Sequence, residues 1–219
     1  NARYNDPFLK RVLELTYAQK KRLDSEALLS NQLIKASEES LLQKSYSFDT
    51  SGFCLLRSDA RTVVLKFGGE GIGHGHPDKL SITIHDGKNE LVSDFGTSGY
   101  GVPDYLKWYK RTLSHNTVTV DAKDQKRSVG KLLKFNPRSD GGYAEAETTT
   151  AYPGVRMKRS LDLKGTHLQD VYTCTSDSSH LYEYVILFNE KPLMDGQPTA
   201  TTLTGSEVHE RIHNIFSYP

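Results

Sequence analysis

The chain has no apolar run near the roughly 20 residues that a membrane-crossing helix requires. Its first residues, NARYNDPFLKRV, carry no signal-peptide core. Cysteine is scarce: Cys54 and Cys174 are the 2 in 219 residues, too few for a disulfide scaffold and without a histidine at finger spacing. Both are expected to be small buried hydrophobes, and one disulfide stays open if the compartment is oxidising. An excess of either charge is also missing, since Lys and Arg number 28 and Asp and Glu 27. Nothing therefore draws a polyanion to the whole surface, and neither nucleic-acid nor membrane binding is expected. An acidic ligand would have to be held by local groups, such as Lys107, Lys110 and Arg111 around Trp108 and Tyr109. Lys123, Lys126 and Arg127 around Gln125 form a second such group; the plainer reading of both is solvated edges and turns. No internal repeat or low-complexity tract is present. Composition is otherwise that of an ordinary globular domain, with 36% hydrophobic and 25% charged residues.

Glycine is absent before Gly52, and that region has a helical period. Pro7 suits a first helical turn; Phe8, Leu9, Val12 and Leu13 follow, then Leu28, Leu29, Leu33 and Ile34. These helices are too few to close a core, so residues 1–45 are expected to be the end of a larger helical domain or a helical arm packed on a sheet. After Lys44 the period changes to two. SYSFDTSGFCLLRSDARTVVLKFGG reads as strand, turn, strand, and LSITIHDGKNELVSDF as a hairpin turning at Asp86-Gly87. NTVTVD, YAEAETTTAY, VRMKRSLDLKGTHLQDVYTCTS, LYEYVILF and TATTLTG continue the series. The expected fold class is mainly β, an antiparallel sandwich over 46–219.

The stretch Gly73–Gln125 carries the chemistry. His76, Asp94 and His115 are two imidazoles and a carboxylate, a donor set suited to a divalent metal, and each lies at an end of a strand-like run. His74 shares an extended-chain face with His76, so one histidine can hold a metal while the other faces a ligand. Tyr100, in a Gly-flanked turn, is a candidate proton donor; Tyr105 and Asn116 are weaker candidates for substrate binding. Asp78 is a candidate to orient an imidazole. His209 and His213 spell HERIH, a zinc-protease pattern, but it needs a helix and a further ligand, and the chain ends six residues later. His85, His167 and His180 are read as surface or packing residues.

HGHPDKLS, then D-F-G-T-x-G-Y, then YLKWYKRTLSHNTVTVD resemble the C-terminal β domain of the heparinase II/III-like polysaccharide lyases. Residue by residue, the resemblance implies an active-site histidine at His74 and a structural zinc on His76, Asp94 and His115. It also implies stacked antiparallel sheets behind an (α/α) toroid. The implied activity is β-elimination on an acidic polysaccharide, alginate or heparin and heparan sulfate, in the periplasm or outside the cell. Tyrosine and Asn or His groups of the toroid would complete the site, so this chain by itself is expected to be inactive. Two other classes stay open: a carbohydrate-binding module using Tyr105, Trp108 and Tyr109 as a platform, and a structural sandwich stapled by its metal.

Overall fold

The computed structural model describes residues 44–69, 74–87 and 89–196, and the backbone of 199–200 and 216–217. The chain divides into two compact units, Asn1–Gln43 and Lys44–Pro219. The helical pattern before Lys44 and the His209/His213 pair lie outside the described residues.

Strands β1 (Tyr46–Phe48), β2 (Phe53–Arg57), β3 (Arg61–Lys66), β4 (Ile82–Asp86) and β5 (Asn89–Val92) form one antiparallel sheet in chain order. A π-helical turn (Tyr105–Tyr109) and a 3₁₀ turn (Thr112–Ser114) lead into β6 (Val118–Val120). Strands β7 (Lys131–Arg138), β8 (Gly141–Tyr152), β9 (Val155–Lys164) and β10 (His167–Ser176) form the second antiparallel sheet. β6 pairs with β11 (Tyr182–Tyr184), and β12 (Thr199–Ala200) with β13 (Phe216–Ser217).

The two-residue period explains the layers. β2 turns Cys54 and Leu56 inward and β3 turns Val63 and Leu65, while β8 offers Ala144 and Ala146 and β9 offers Met157, Leu161 and Leu163. These residues join Val118 and Val120 in one apolar cluster, so the sheets pack as a sandwich. Small residues on β8 let the layers close: a methyl group on Gly142 would stand 3.1 Å from Leu56 Cδ2. Both cysteines are free thiols, and burial pushes Cys54 up to about 12 and Cys174 to about 11.

One expected strand is shorter than its pattern, and one strand, β7, is absent from the sequence expectation. β7 has no alternating pattern and contains Pro137, yet it is a strand; it lies at the sheet's edge, where a missing N–H is tolerated, and its register slips between Leu132 and Lys134. LYEYVILF is strand only over Tyr182–Tyr184, and the rest touches β5 through a single Val92–Phe188 bridge. TATTLTG is strand at Thr199–Ala200, with its remainder outside the described residues.

Arg159 breaks the pattern of the core. It stands in the inward row of β9 between Met157 and Leu161 and is fully buried. Nε donates to Asp170 Oδ1 at 2.9 Å and Nη2 to Oδ2 at 2.5 Å, a bidentate pair. Nη1 donates to the carbonyls of Leu80 (2.7 Å) and Asn116 (2.6 Å), and Nη2 also reaches the Tyr184 hydroxyl at 2.8 Å. The Tyr172 and Tyr184 rings each lie 5.4 Å from the guanidinium carbon. Arg159→Ala should therefore lower unfolding free energy by about 3–5 kcal/mol in a denaturant titration, because it leaves two buried carbonyls without this donor and Asp170 with the Tyr184 hydroxyl but no cation. Arg159→Lys should recover only a minor part, since an ammonium lacks the planar fork; a loss under about 1 kcal/mol in either variant contradicts this role.

Candidate functional site

In the described part of the loop between β3 and β4, side chains from other segments hold the backbone just before β4. Gln125 brackets Lys79, accepting from its N–H (2.7 Å) and donating to its carbonyl (3.1 Å), and the Thr117 hydroxyl also donates to that carbonyl at 2.7 Å. Arg159 holds the next carbonyl, that of Leu80. Leu80 is buried with φ of 62°, a left-handed conformation that costs a non-glycine residue about 1–2 kcal/mol. Its N–H donates to the Lys66 carbonyl at 2.8 Å. The fold thus holds this turn against local preference, and His76 and Asp78 precede it.

His76, Asp94 and His115 come together. Asp94 Oδ2 lies 2.9 Å from His115 Nδ1, and Asp94 Oδ1 accepts from the Gly96 N–H at 2.9 Å. Burial pushes the Asp94 carboxyl up, but its hydrogen bond with His115, followed by that from the Gly96 N–H, outweighs it and holds the group below the usual carboxylate range. An ionised carboxylate only accepts, so His115 Nδ1 is the donor and Nε2 carries the lone pair. That Nε2 faces His76 Nδ1 at 3.3 Å, the span of two nitrogens around one tetrahedral zinc with bonds of about 2.0–2.1 Å. Burial, and next the proximity of His115, lower the His76 pKa and so favour the neutral imidazole that a metal requires. Ligand atoms of Asp78, Asp94 and His115 also lie within 4.8 Å of one another. The two imidazoles are spaced for a divalent metal; Asp94 joins them as a ligand only by releasing His115 Nδ1, and Asp78 stands nearby.

Asp78 does not orient an imidazole. Its carboxylate binds two ammonium groups, Lys79 Nζ at 2.9 Å and Lys66 Nζ. Burial alone would raise its pKa; Lys79 and then Lys66 overcome that and keep it ionised. Lys66, His74, His76, Asp78 and Asp94 line one cleft of about 380 Å³ with Phe53, Val64 and Thr83 of the first sheet.

At the mouth of this cleft the exposed Tyr100 hydroxyl is hydrogen-bonded to Nδ1 of exposed His74. Tyr105 packs its ring edge-on against Tyr100 (5.2 Å) and His76 (6.4 Å) and is 9% exposed. It acts as a wedge beneath the pair. Asn116 is fully buried, and its carboxamide donates to the carbonyls of Ile82 (2.8 Å) and Ser93 (2.9 Å) and accepts from the Leu187 N–H (2.6 Å). With every amide group engaged by backbone, Asn116 positions the segment beside His115 and has nothing left for a sugar. Trp108 is half-buried, 6.4 Å from Phe95, and Arg111 is bound to Asp124 at 2.6 Å. Arg159 and Gln125 were missed as supports of the site, although an arginine inside V-x-M-x-R-x-L-x-L is a visible signal.

The family model for heparinase II/III-like C-terminal domains matches residues 41–195. An exo-oligoalginate lyase of Saccharophagus degradans is 28% identical over 153 residues, covering 58% of this chain and 20% of that protein. An alginate lyase of Stenotrophomonas maltophilia is 28% identical over 214 residues (82% and 29%), and a heparin-sulfate lyase of Bacteroides stercoris is 36% identical over 128 (53% and 19%). A solved heparinase III matches with TM-score 0.65 at 20% identity over 90% of this chain and 30% of that one. A heparan sulfate lyase of Pedobacter heparinus matches with 0.62 at 17% over 90% and 32%. The chain spans between about a fifth and three tenths of the length of these curated relatives. With more than half of its residues matched by the family model, the chain belongs to the heparinase II/III-like family through that family's C-terminal domain.

Proposed function

We propose that this chain is the C-terminal β part of a periplasmic or secreted polysaccharide lyase acting on a uronic-acid-containing glycan, in the class of alginate or heparin and heparan sulfate. The observation that carries this reading is the His74–Tyr100 pair, exposed at the rim of a cleft whose walls hold an ammonium group and an aromatic ring. β-Elimination breaks the C5–H bond beside the carboxylate, forms the C4–C5 double bond and releases the C4 oxygen. The Tyr100 hydroxyl delivers a proton to the departing oxygen, and His74, bonded to that hydroxyl through Nδ1, returns one to the phenolate. The group that removes the C5 proton and its neutralising partner are assigned to the helical part of the whole enzyme. His76 and His115, with Asp94 turned from His115 Nδ1 as the third ligand, would hold a zinc, which would crosslink the β3–β4 loop, the segment after β5 and the entry to β6.

In the full-length enzyme, His74→Ala and Tyr100→Phe should each lower kcat by roughly a hundredfold to ten-thousandfold, with an unchanged melting temperature. Release of the unsaturated uronate, followed in the near ultraviolet, gives the rate; near-normal turnover in both variants sinks the assignment. The 219-residue chain by itself should yield no such product, because the group that removes the C5 proton is assigned to a helical part of the whole enzyme that this chain does not supply.

Protein purified without chelator should contain about one zinc per chain, and His115→Ala should lose it along with several degrees of thermal stability. Elemental analysis and a melting curve decide the matter. A metal-free wild type, or a variant with undiminished zinc, rejects the ligand set.

A further inference from the structure

The pairing register places an aromatic ring and a cation side by side on the wall of the cleft. Phe53 on β2 is directly opposite Lys66 on β3, so both side chains leave the same face of the first sheet. Phe48 on β1 is opposite Phe53 and extends the row. Phe53 and Lys66 line the cleft together with His74 and His76, and both are half-buried.

Lys66 shares its carboxylate partner. Asp78 is one carboxylate shared by two ammonium groups, so neither has it to itself. Of the three side chains Lys79 is 0% and Asp78 3% exposed, whereas Lys66 is 28% exposed. Lys66 is therefore the ammonium presented to the cleft. Asp94, the other carboxylate of the cleft, does not cancel that ammonium's charge by contact, because its oxygens are engaged by His115 and the Gly96 N–H. An ammonium has three donors, so Lys66 can keep Asp78 and accept another anion.

We propose that Lys66 and Phe53 form a subsite for one acidic sugar unit, with the apolar face of the ring on Phe53 and the carboxylate on the Lys66 ammonium. The assignment rests on the glycan reading above. It adds the residue that selects for charge, distinct from the pair that moves protons. Asp78 acts as a positioning residue that fixes the ammonium, and buried Lys79 keeps Asp78 ionised.

The test measures binding, without turnover, of an unsulfated oligouronate and of its carboxyl-reduced neutral counterpart to the full-length protein at low and moderate salt. Wild type should bind the charged ligand at least tenfold more tightly, with the preference shrinking as salt rises. Lys66→Met should bind the two alike and lose the salt dependence, whereas Lys66→Arg should keep the preference. Asp78 retains Lys79 in both variants, so the fold should survive; Lys66→Gln provides a second neutral replacement if Lys66→Met does not fold. Undiminished charge preference in a folded neutral variant overturns the proposal. So does a wild type that binds the two ligands equally or binds neither. A wild type that prefers the oligouronate through Lys66 yet never releases unsaturated product upholds the subsite and rejects the lyase reading.

Discussion

Two backbone carbonyls, those of Leu80 and Asn116, converge on the guanidinium of Arg159. One belongs to the loop that carries His76 and Asp78, the other to the segment that carries His115. Their separation in sequence is bridged by a side chain from the opposite sheet. A buried carbonyl without a donor is costly, and a buried guanidinium without acceptors is more so; here each resolves the other. Asp170 and two tyrosines complete the cation's surroundings. The relative placement of the two histidine-bearing segments therefore depends on the interior of the sandwich as well as on the sheet edge where they lie.

The same constraint explains what was legible in the sequence. Strands with a clean two-residue period, β2, β3, β8, β9 and β10, are visible because each faces one common core. β7 is hidden because an edge strand answers to only one neighbour and tolerates Pro137. His76, Asp94 and His115 are readable because metal-type donors at strand ends are few. Asn116 is misleading from sequence: a carboxamide beside a functional histidine looks like a substrate contact, and only the three backbone partners show that it is a brace. Tyr105 is similar, an aromatic residue whose place beneath Tyr100 and His76 depends on a single π-helical turn. Arg159 was legible in principle, since a charge at an inward position must be paired, but the sequence does not say with what.

Asp78 and Asp94 illustrate how two carboxylates 16 positions apart acquire separate tasks. Both are opposed by burial and both stay ionised. Asp94 is stabilised mainly by an imidazole N–H and so fixes a tautomer. Asp78 is stabilised by ammonium groups and so fixes charge. Partners, more than residue type, assign the work.

The free thiols have a consequence of another kind. Cys54 and Cys174 are the chain's 2 cysteines, and burial keeps both protonated at neutral pH, whereas oxidation and exchange proceed through the thiolate. The sandwich is thus assembled without a covalent crosslink and needs neither an oxidant nor an isomerase to reach its fold. Glutathione of either redox state finds little to react with, and the domain can be matured in a reducing or an oxidising milieu with the same result.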